Sequence, residues 1–577
     1  MNARVANRRI RLLLAAFVLA FGVAFLRAAW LQGVRAASFG RLASEQHSQV
    51  VTIPAARGTI YDRGGVQLAI GEQATTVYAD PRQVRDARSE ARIAARILRL
   101  PLSRVYAELA DQSRGFVYLQ RKADPALAAR LARKGLPGLG FYPEERRFYP
   151  QGPLAAQVLG YAGVDNRGLS GLELSLDGLL AGRPGRERIV KDAAGQAINT
   201  IRSQSERDGE DVYLTLDHTI QANAQAVLRQ TVERWHAKSA TAIVLDPARG
   251  AVRAMSVGPS FDANRYPTVW RALQRNRAVT DTYEPGSTFK LVTVAGALSD
   301  RLVSPSTTFT LPYSIHVADR VIHDAEPRGT ETMTVARILS QSSNVGAITL
   351  AEKLGPHRLA RWISRFGFGR PTGIDFPGES RGIVLPERDW SGSTIGNVPI
   401  GQGIAVTPVQ MASAYATVAN RGVWVRPHLI DHIGDGRSMV PKRRRVVSSS
   451  VARQLIAMLK NVVAEGTGTE AVVPGYQVAG KTGTAAKPDE HGGYSDTRYV
   501  ASFVGIVPAS RPRLVILVSV DEPRGAIWGG VVAAPAFAEI AKFDLQYLDG
   551  GIPPDAPVTA ATGSGSVVSS GAYRRSP

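Results

Sequence analysis

The chain has 577 residues, of which 44% are hydrophobic and 21% charged, so it is long enough for about three domains and too apolar to be disordered throughout. It contains no cysteine, which excludes disulfide bonds and thiolate metal sites, and its nine histidines form no metal-binding sequence pattern. Its net charge of +21 accompanies no nucleic-acid-binding motif, so attraction to an anionic membrane surface or polymer explains the charge and no nucleic-acid partner is expected.

The first predicted element is a hydrophobic segment at the amino terminus. Residues 12–26 carry no polar side chain, and extension to residue 34 gives the length of about 20 residues that a transmembrane helix needs. Arginines precede the segment and the first acidic residue is Glu45, so the positive-inside rule predicts a cytoplasmic tail at 1–11, an anchor at 12–34 and an extracytoplasmic remainder. A cleaved signal peptide is the alternative, but no convincing A-x-A cleavage site follows.

Residues 35–235 alternate between short strand-like and helix-like segments. Residues 57–65 are predicted to form a strand that ends in a glycine-containing turn. Residues 86–135 are rich in alanine, leucine and arginine, and they are predicted to be helical. Residues 211–217 alternate like a strand and lead into a predicted helix over 218–238.

Residues 236–548 have predicted strands at both ends and helices between them. Two hairpins are predicted, at 242–257 and 501–520, and a further strand over 476–480 leads into a lysine-containing motif. Helices are predicted at 288–299, 333–340, 345–354, 407–420 and 449–465. This order is typical of an α+β domain in which helices cover an antiparallel sheet. The residues at 549–577 are rich in Gly, Ser, Pro and Thr and are predicted to be a disordered tail.

Three short motifs each occur once in the chain: Ser287-Thr288-Phe289-Lys290, Ser342-Ser343-Asn344 and Lys481-Thr482-Gly483. A serine hydroxyl needs a base to act as a nucleophile, and a lysine three residues later lies on the same face of a helix. Lysine is a base only when it is neutral, a state that burial and a neighbouring cation such as Lys481 favour by lowering its pKa. We therefore predict that Ser287 is a nucleophile and Lys290 its base.

The other motif residues are candidates for proton transfer and substrate binding. Ser342 offers a hydroxyl that can pass a proton to a leaving amine, and Asn344 offers an amide that can pair with a substrate peptide bond. Thr482 and Thr484 flank Gly483 on a predicted strand, where the glycine lets a substrate backbone approach and the hydroxyls suit a carboxylate. Each motif alone can be structural, as a helix N-cap, a polar turn or a solvated lysine. Their joint occurrence favours an active site.

The motif triplet resembles that of the penicillin-binding proteins, serine acyltransferases of bacterial cell-wall synthesis. The anchored, two-domain layout resembles class B, the monofunctional transpeptidases, and implies an elongated pedestal (dimerisation-type) domain at 35–235 and a transpeptidase domain at 236–548. Residues 57–69 resemble the class B juxtamembrane box, with Gly64 where asparagine is usual. Residues 147–150 together with Gly160-Tyr161 resemble the next sequence box of the class B pedestal. Gly171, Glu173 and Asp177 resemble the box after that. Residues 276–287 and 401–410 are similar to the cell-division (FtsI-type) branch.

The resemblance implies a reaction and a role for each motif residue. Ser287 would attack the D-Ala-D-Ala amide of a peptidoglycan stem peptide, with Lys290 as the base, and an amine of a neighbouring stem would then take the acyl group. Ser342 would carry the proton to the leaving amine, while Asn344 contacts the substrate amide. Lys481 would tune the site. The terminal carboxylate would be bound by Thr482 and Thr484, and the oxyanion by the backbone N–H groups of Ser287 and Thr484.

The resemblance also implies partners and leaves alternative functions open. The expected partners are stem peptides, the lipid-linked precursor, β-lactams that acylate Ser287, an FtsW-type polytopic glycosyltransferase and other division proteins. No cofactor or metal is expected. The alternatives are an elongation-type class B transpeptidase, a D,D-carboxypeptidase, a β-lactamase, a non-catalytic division scaffold and a β-lactam receptor. The basic run at 442–445 has no assigned role beyond a solvated surface loop.

Overall fold

The computed structural model describes residues 3–33, 48–191, 197–434, 436–489 and 491–555, which fall into two units. The first unit comprises Met1–Arg57 and Ala181–Gly209, and the second comprises Gly58–Leu180 and Glu210–Pro577. Most of the predicted tail, residues 556–577, lies outside the described residues.

The amino-terminal half contains short strands and helices in alternation. Its strands are β1 (Ser48–Ile53), β2 (Ile60–Tyr61), β3 (Gln67–Ala79), β4 (Val117–Ala123), β5 (Leu139–Phe148), β6 (Tyr161–Ala162), β7 (Gly168–Ser170), β8 (Gly185–Lys191), β9 (Ala197–Gln204) and β10 (Val212–Leu214). Its helices are α1 (Ala3–Gly33), α2 (Ala87–Leu98), α3 (Leu102–Ala110), α4 (Pro125–Ala132), α5 (Ala156–Leu159), α6 (Gly171–Ser175), α7 (Asp177–Leu180) and α8 (His218–Arg234).

The carboxy-terminal half contains a sheet whose strands come from both of its ends. Its strands are β11 (Ser239–Asp246), β12 (Ala251–Gly258), β13 (Thr308–Leu311), β14 (Ser314–Val317), β15 (Arg320–His323), β16 (Glu331–Thr334), β17 (Val423–Val425), β18 (Ile430–Ile433), β19 (Arg437–Ser438), β20 (Arg443–Arg445), β21 (Ala479–Pro488), β22 (Tyr494–Val507) and β23 (Leu514–Asp521). Its helices are α9 (Arg277–Thr280), α10 (Lys290–Ser299), α11 (Val335–Ser340), α12 (Asn344–Leu354), α13 (Pro356–Phe366), α14 (Thr394–Asn397), α15 (Pro408–Ala419), α16 (Ser449–Ala464), α17 (Gly529–Val532) and α18 (Ala534–Tyr547).

The first unit contains the predicted amino-terminal helix and a small antiparallel sheet. Within α1, the segment Asn7–Gly33 contains an 18-residue window with a mean hydropathy of 2.3, and the segment is long enough to cross a membrane. Its apolar side chains, such as those of Phe17 and Phe25, are exposed, as expected for a helix whose surroundings are lipid. This helix is compatible with a single-pass membrane anchor. Strand β8 lies between β1 and β9 and pairs antiparallel with both.

The amino-terminal part of the second unit is built on a mixed sheet with the order β19-β18-β10-β2-β3-β4, in which β5 also pairs with β3. Helices α2, α3 and α4 pack against β3 and β4 through buried Val77, Leu98 and Leu119. The prediction that residues 86–135 are helical is therefore wrong for β4. This segment alternates between buried Val117 and Leu119 and exposed Tyr118, and that period of two belongs to a strand with one covered face.

The carboxy-terminal part of the second unit has a five-stranded antiparallel sheet in the order β12-β11-β23-β22-β21. Both predicted hairpins are present, β11 with β12 and β22 with β23. The strand predicted at 476–480 begins only at Ala479, because Tyr476 closes a turn with Val473. The long helices predicted in this region match α10, α11, α12, α15 and α16 to within two residues at each end. The predicted α+β class is confirmed.

One apolar core joins the two parts of the second unit. Ile60 and Leu172 from the amino-terminal part belong to the same buried cluster as Ile243 and Met255 from β11 and β12. A second core, which includes Phe503 and Phe537, lies between the sheet and helices α8 and α18. The ordered chain continues past the predicted start of the tail at residue 549. Ile552 is buried and Asp555 accepts a hydrogen bond from the Gln477 backbone.

Candidate active site

Ser287 lies in the short 3-10 helix Gly286–Phe289, which leads directly into α10. Residues three apart face the same side of a 3-10 turn, so Ser287 and Lys290 share one face. Gly286 has a φ of +54°, which glycine adopts without a Cβ clash, and a Cβ here would lie 2.9 Å from the Thr484 carbonyl oxygen. The 3-10 turn Gly286–Phe289, here called the nucleophile turn because it carries the predicted nucleophile, therefore lies directly against strand β21.

Ser342 connects the predicted nucleophile to the predicted base. Its Oγ donates to Ser287 Oγ at 2.9 Å, and Lys290 Nζ lies 3.2 Å from the same Ser342 Oγ. Lys290 Nζ also donates to the Ser342 carbonyl oxygen at 2.5 Å and to Asn344 Oδ1 at 2.7 Å. Within the described residues, Lys290 makes no direct hydrogen bond to Ser287, so the hydroxyl of Ser342 is the link between them.

The turn that holds Ser342 is strained and tightly fixed. Ser342 has a φ of +59°, a left-handed conformation that costs a non-glycine residue about 1–3 kcal/mol and persists only where the surroundings impose it. The next residue, Ser343, caps helix α12 by accepting a hydrogen bond from the Gly346 N–H at 2.9 Å. The cap makes Asn344 the first helical residue and directs its side chain to Lys290.

Asp324, just beyond β15, supports this turn and was missed by the sequence analysis. Its buried carboxylate accepts hydrogen bonds from the Asn344 N–H at 2.5 Å, the Val345 N–H at 3.0 Å and Ser343 Oγ at 3.0 Å. Arg328 pairs with the same carboxylate at 2.6 Å. A carboxylate at a helix N-terminus is favoured by the helix dipole. A lone aspartate outside any motif gives no sequence signal for this role.

Lys481 and its neighbours lie on edge strand β21, where Lys481 pairs with Val504 of β22. The Lys481 side chain is fully buried, and its Nζ lies 3.2 Å from Thr482 Oγ1. Thr482 Oγ1 also shares a hydrogen bond with Thr467 Oγ1 at 2.7 Å. Thr484 Oγ1 accepts from the Gly529 N–H at 3.1 Å. Both predicted carboxylate ligands, Thr482 and Thr484, therefore already bind groups of the protein.

Gly483 is required for close packing of the chain on itself. A Cβ at this position would lie 2.4 Å from Ser502 Oγ and 2.8 Å from the Pro285 carbonyl oxygen. The sequence analysis expected this glycine to admit a substrate backbone. The space at its Cα is instead filled by the segment that precedes Ser287, so the glycine brings the nucleophile turn against β21.

The pKa values of the two buried lysines, Lys290 and Lys481, are both lowered. Burial lowers the pKa of Lys290 to about 7, although the nearby Asp324 carboxylate opposes the shift. Burial, and then the positive charge of Lys290, lower the pKa of Lys481 well below its usual value. The sequence analysis expected the charge of Lys481 to act on Lys290. In the structure, burial is the main cause for Lys290, and the charge acts on Lys481.

A half-buried carboxylate, that of Glu284, joins the segment before Ser287 to two neighbouring loops. Glu284 Oε1 accepts hydrogen bonds from the Gly403 N–H at 2.9 Å and from Tyr494 OH at 3.1 Å, and burial raises the pKa of Glu284. The Gly286 N–H donates to the Gly401 carbonyl oxygen at 3.1 Å. Gly401 has a φ of +80°, and a Cβ on it would lie 2.1 Å from the Gly286 oxygen. The turn at 401–403 therefore packs against the segment that precedes the predicted nucleophile.

One group of possible metal ligands is present among the described residues: Asp62, Asp217 and His218. Asp62 accepts hydrogen bonds from the backbone of the following turn and from His218 Nδ1 at 2.7 Å. Asp217 caps helix α8 and pairs with Arg63 at 3.2 Å. These carboxylate oxygens already have protein donors, which explains the cluster as a structural network.

Two family models match the chain. The penicillin-binding protein transpeptidase domain matches residues 240–542, and the penicillin-binding protein dimerisation domain matches residues 52–214. The motif residues of the site described above all lie within the first of these matches. Together the two models cover most of the chain.

Several curated proteins are similar over almost their whole length. Penicillin-binding protein PbpB of Mycolicibacterium smegmatis is 36% identical, covering 91% of this chain and 88% of the relative. Peptidoglycan D,D-transpeptidase FtsI of Escherichia coli is 33% identical, covering 97% of this chain and 94% of the relative. Stage V sporulation protein D of Bacillus subtilis is 34% identical, covering 94% of this chain and 87% of the relative.

Solved structures agree with these relatives. A peptidoglycan synthetase from Bifidobacterium adolescentis superposes with a TM-score of 0.72 at 30% identity, covering 89% of this chain and 99% of that one. Penicillin-binding protein 3 from Mycobacterium tuberculosis, in complex with aztreonam, superposes with a TM-score of 0.68 at 33% identity. The match covers 88% of this chain and 99% of that one. Two matched domains, in this order and behind an apolar helix, show that the chain belongs to the penicillin-binding proteins, as a class B enzyme with a transpeptidase domain.

Proposed function

We propose that this chain is a peptidoglycan D,D-transpeptidase that cross-links stem peptides through an acyl-enzyme on Ser287. The observation that carries the proposal is the chain of hydrogen bonds from Ser287 through Ser342 to Lys290, a fully buried lysine whose pKa is lowered to about 7. An amine that is neutral near physiological pH can accept the proton that a serine must lose. The similarity to the peptidoglycan D,D-transpeptidase FtsI of Escherichia coli supports the substrate.

In the proposed acylation, Ser287 Oγ attacks the carbonyl carbon of the D-Ala-D-Ala amide and passes its proton to Lys290 through the Ser342 hydroxyl. An ester C–O bond forms as the amide C–N bond breaks. The proton returns through Ser342 to the leaving nitrogen, and D-alanine departs as a free amine. An amine from a neighbouring stem then attacks the ester, so that an amide re-forms and Ser287 recovers its proton.

The remaining site residues are proposed to bind substrate. Asn344 keeps its amide beside the site by accepting from Lys290 and by donating from Nδ2 to the His323 carbonyl oxygen at 3.0 Å. The backbone N–H groups of Ser287 and Thr484 are proposed as the oxyanion hole, because the nucleophile turn lies against β21 at Thr484. Thr482 and Thr484 are proposed to bind the terminal carboxylate, for which the two hydroxyls must exchange their present partners, and Lys481 is proposed to tune the site.

Covalent labelling by a fluorescent penicillin tests the nucleophile. We expect one equivalent of label per wild-type chain and none on Ser287→Ala, because an acylated hydroxyl is the only attachment in this mechanism. Loss of such a nucleophile typically lowers turnover about a million-fold. Ser391→Ala, at an exposed serine, is the matched control and should label like the wild type. Labelling of a correctly folded Ser287→Ala protein would assign the nucleophile to another residue.

The acceptor of the acyl group separates the proposed enzyme from a D,D-carboxypeptidase. Both form the same acyl-enzyme, and only the transpeptidase joins two stems. Mass spectrometry of products made from the lipid-linked precursor with a partner polymerase distinguishes them. Cross-linked dimers support the proposal, whereas shortened monomers alone would support the carboxypeptidase. Labelling without either product would indicate a β-lactam receptor or a scaffold.

We further propose a role in septal wall synthesis, which the similarity to FtsI supports. In this proposal residues 12–34 anchor the chain in the cell membrane with residues 1–11 in the cytoplasm, residues 35–235 form the pedestal and residues 236–548 the extracytoplasmic transpeptidase domain. An FtsW-type glycosyltransferase and other division proteins are the proposed partners. Depletion of the chain should then give filamentous cells, whereas rounded cells would indicate the elongation-type enzyme.

A further inference from the structure

The basic run at 442–445 forms a fixed structure rather than a solvated loop. Residues Arg443–Arg445 make up β20, in which Arg444 pairs with Trp424 of β17. The Arg444 guanidinium lies over the Trp424 ring, 4.9 Å from its centroid, and donates to the carbonyl oxygen of Arg365 in the last turn of α13. Aromatic stacking and a backbone hydrogen bond therefore hold this guanidinium in place.

Two further arginines are held beside it, one by stacking and a hydrogen bond and the other by a hydrogen bond alone. Arg365 stacks on Trp362 at 4.8 Å and donates to the Val446 carbonyl oxygen at 3.0 Å. Arg370 donates to the Ser364 carbonyl oxygen at 2.9 Å. We call Arg365, Arg370 and Arg444 the arginine cluster.

The arginine cluster has no counter-charge from the part of the chain that the structure describes. None of the ion pairs among those residues, taken to 4.0 Å, includes Arg365, Arg370 or Arg444. Partial burial, together with the positive charges of Arg370 and Arg365, lowers the pKa of Arg444 to about 10. Like charges fixed near one another destabilise the folded chain unless an anion lies between or beside them.

One other group of arginines in the same unit is neutralised by a carboxylate. A cavity of about 330 Å³ is lined by Arg249, Arg253 and Asp246, among other residues. Both guanidinium groups lie 3.2 Å from Asp246 Oδ2, so this group carries its own carboxylate. The arginine cluster differs from this group because no ion pair within 4.0 Å joins it to a carboxylate of the described residues.

We propose that the arginine cluster is a binding site for a phosphoryl group. The planar guanidinium fork matches the oxygens of phosphate, and groups that are already fixed lose little entropy on binding. Three guanidinium groups exceed what the two oxygens and single charge of a carboxylate can pair. A phosphoryl group offers at least three acceptor oxygens and up to two negative charges. The site is independent of the acyl-transfer reaction proposed above.

Isothermal titration of the full chain in a neutral detergent with sodium pyrophosphate, at constant ionic strength, tests the site. We expect saturable binding to the wild type. Arg444→Gln and Arg370→Gln should each weaken the Kd about tenfold or more, because each removes charged hydrogen bonds to the anion. Arg370 is exposed, so its substitution leaves the fold intact even if Arg444→Gln disturbs strand β20.

Arg388→Gln is the matched control, since it removes the same charge from an exposed arginine that pairs with Asp389. It should bind pyrophosphate like the wild type, and all variants should keep full penicillin labelling. No binding to the wild type, or an equal loss in Arg388→Gln, would overturn the proposal and indicate general electrostatic attraction only. Displacement of pyrophosphate by micelles containing phosphatidylglycerol, but not phosphatidylcholine, supports the site with a lipid headgroup as the source. Binding without displacement supports it with a soluble phosphoryl ligand.

Discussion

At the scale of single residues, the properties of the site depend on the burial of Lys290. Its pKa in the folded chain is about 7, below the value of 10.5 for a free lysine. Between these two pH values the unfolded chain binds the additional proton, so this residue makes folding more favourable as the pH rises through that window. The same shift favours a neutral amine hydrogen-bonded to Ser342, so the destabilising burial of the lysine suits it to the proposed role of base.

The acylation rate should therefore rise with pH. We expect the second-order rate constant for penicillin labelling to increase between pH 6 and pH 8, with its midpoint near 7, because Lys290 must lose its proton to act as a base. Rapid-quench labelling with fluorescent penicillin measures this profile.

Lys290→Arg is the control for that profile. Its side chain stays protonated throughout the range, so labelling should be slow and should show no midpoint near 7. A flat profile in the wild type would contradict the assignment of Lys290 as the base.

At the scale of elements, the nucleophile turn depends on its contact with the turn at 401–403. Replacement of Gly401 by alanine places a Cβ 2.1 Å from the Gly286 carbonyl oxygen, so the residue before Ser287 must move. A displacement of about 1 Å can lower a rate about a hundredfold, and we expect a loss of that size in the rate constant for penicillin labelling of Gly401→Ala.

Gly378→Ala is the control that distinguishes the effect of backbone strain at a positive φ from the effect of displacing the residue before Ser287. Gly378 also has a positive φ, of +74°, but a Cβ there would meet nothing within 4 Å. The substitution should cost about 1–2 kcal/mol in conformational strain and leave the labelling rate unchanged. Equal rates for the two variants would show that the contact between Gly401 and Gly286 does not position Ser287.

The elements that could be predicted from the sequence are those whose own apolar residues repeat with the period of a strand or a helix. The hairpins β11–β12 and β22–β23 and helix α10 could be predicted because their apolar spacing is local, and the three motifs marked the site. Strand β4 was missed because alanine-rich helices flank it on both sides and its partner, β3, is distant in sequence. Asp324 was missed for a related reason, since its function arises only when the chain brings it to the start of α12.

At the scale of the whole molecule, the absence of cysteine permits a direct test of the proposed orientation. Val440→Cys, at a position that is 89% exposed, would introduce the only thiol of the chain. We expect a membrane-impermeant maleimide to label it in intact spheroplasts, because the proposed topology places everything after the anchor outside the cytoplasm.

Asn7→Cys is the opposite control. Residue 7 lies in the predicted cytoplasmic tail, before the predicted anchor at 12–34, so its thiol should react only after the membrane is permeabilised. Labelling of Asn7→Cys in intact spheroplasts, with protection of Val440→Cys, would reverse the orientation.

The buried cluster that includes Ile60 and Leu172 as well as Ile243 and Met255 has a consequence for how the molecule can be divided. A cut near residue 235, between the two predicted domains, would divide this cluster and leave buried apolar side chains on both sides facing water. Exposed apolar surface of that kind promotes self-association. The predicted transpeptidase domain therefore shares buried side chains with the predicted pedestal, and a core mutation on either side should lower the amount of folded protein that carries the candidate site.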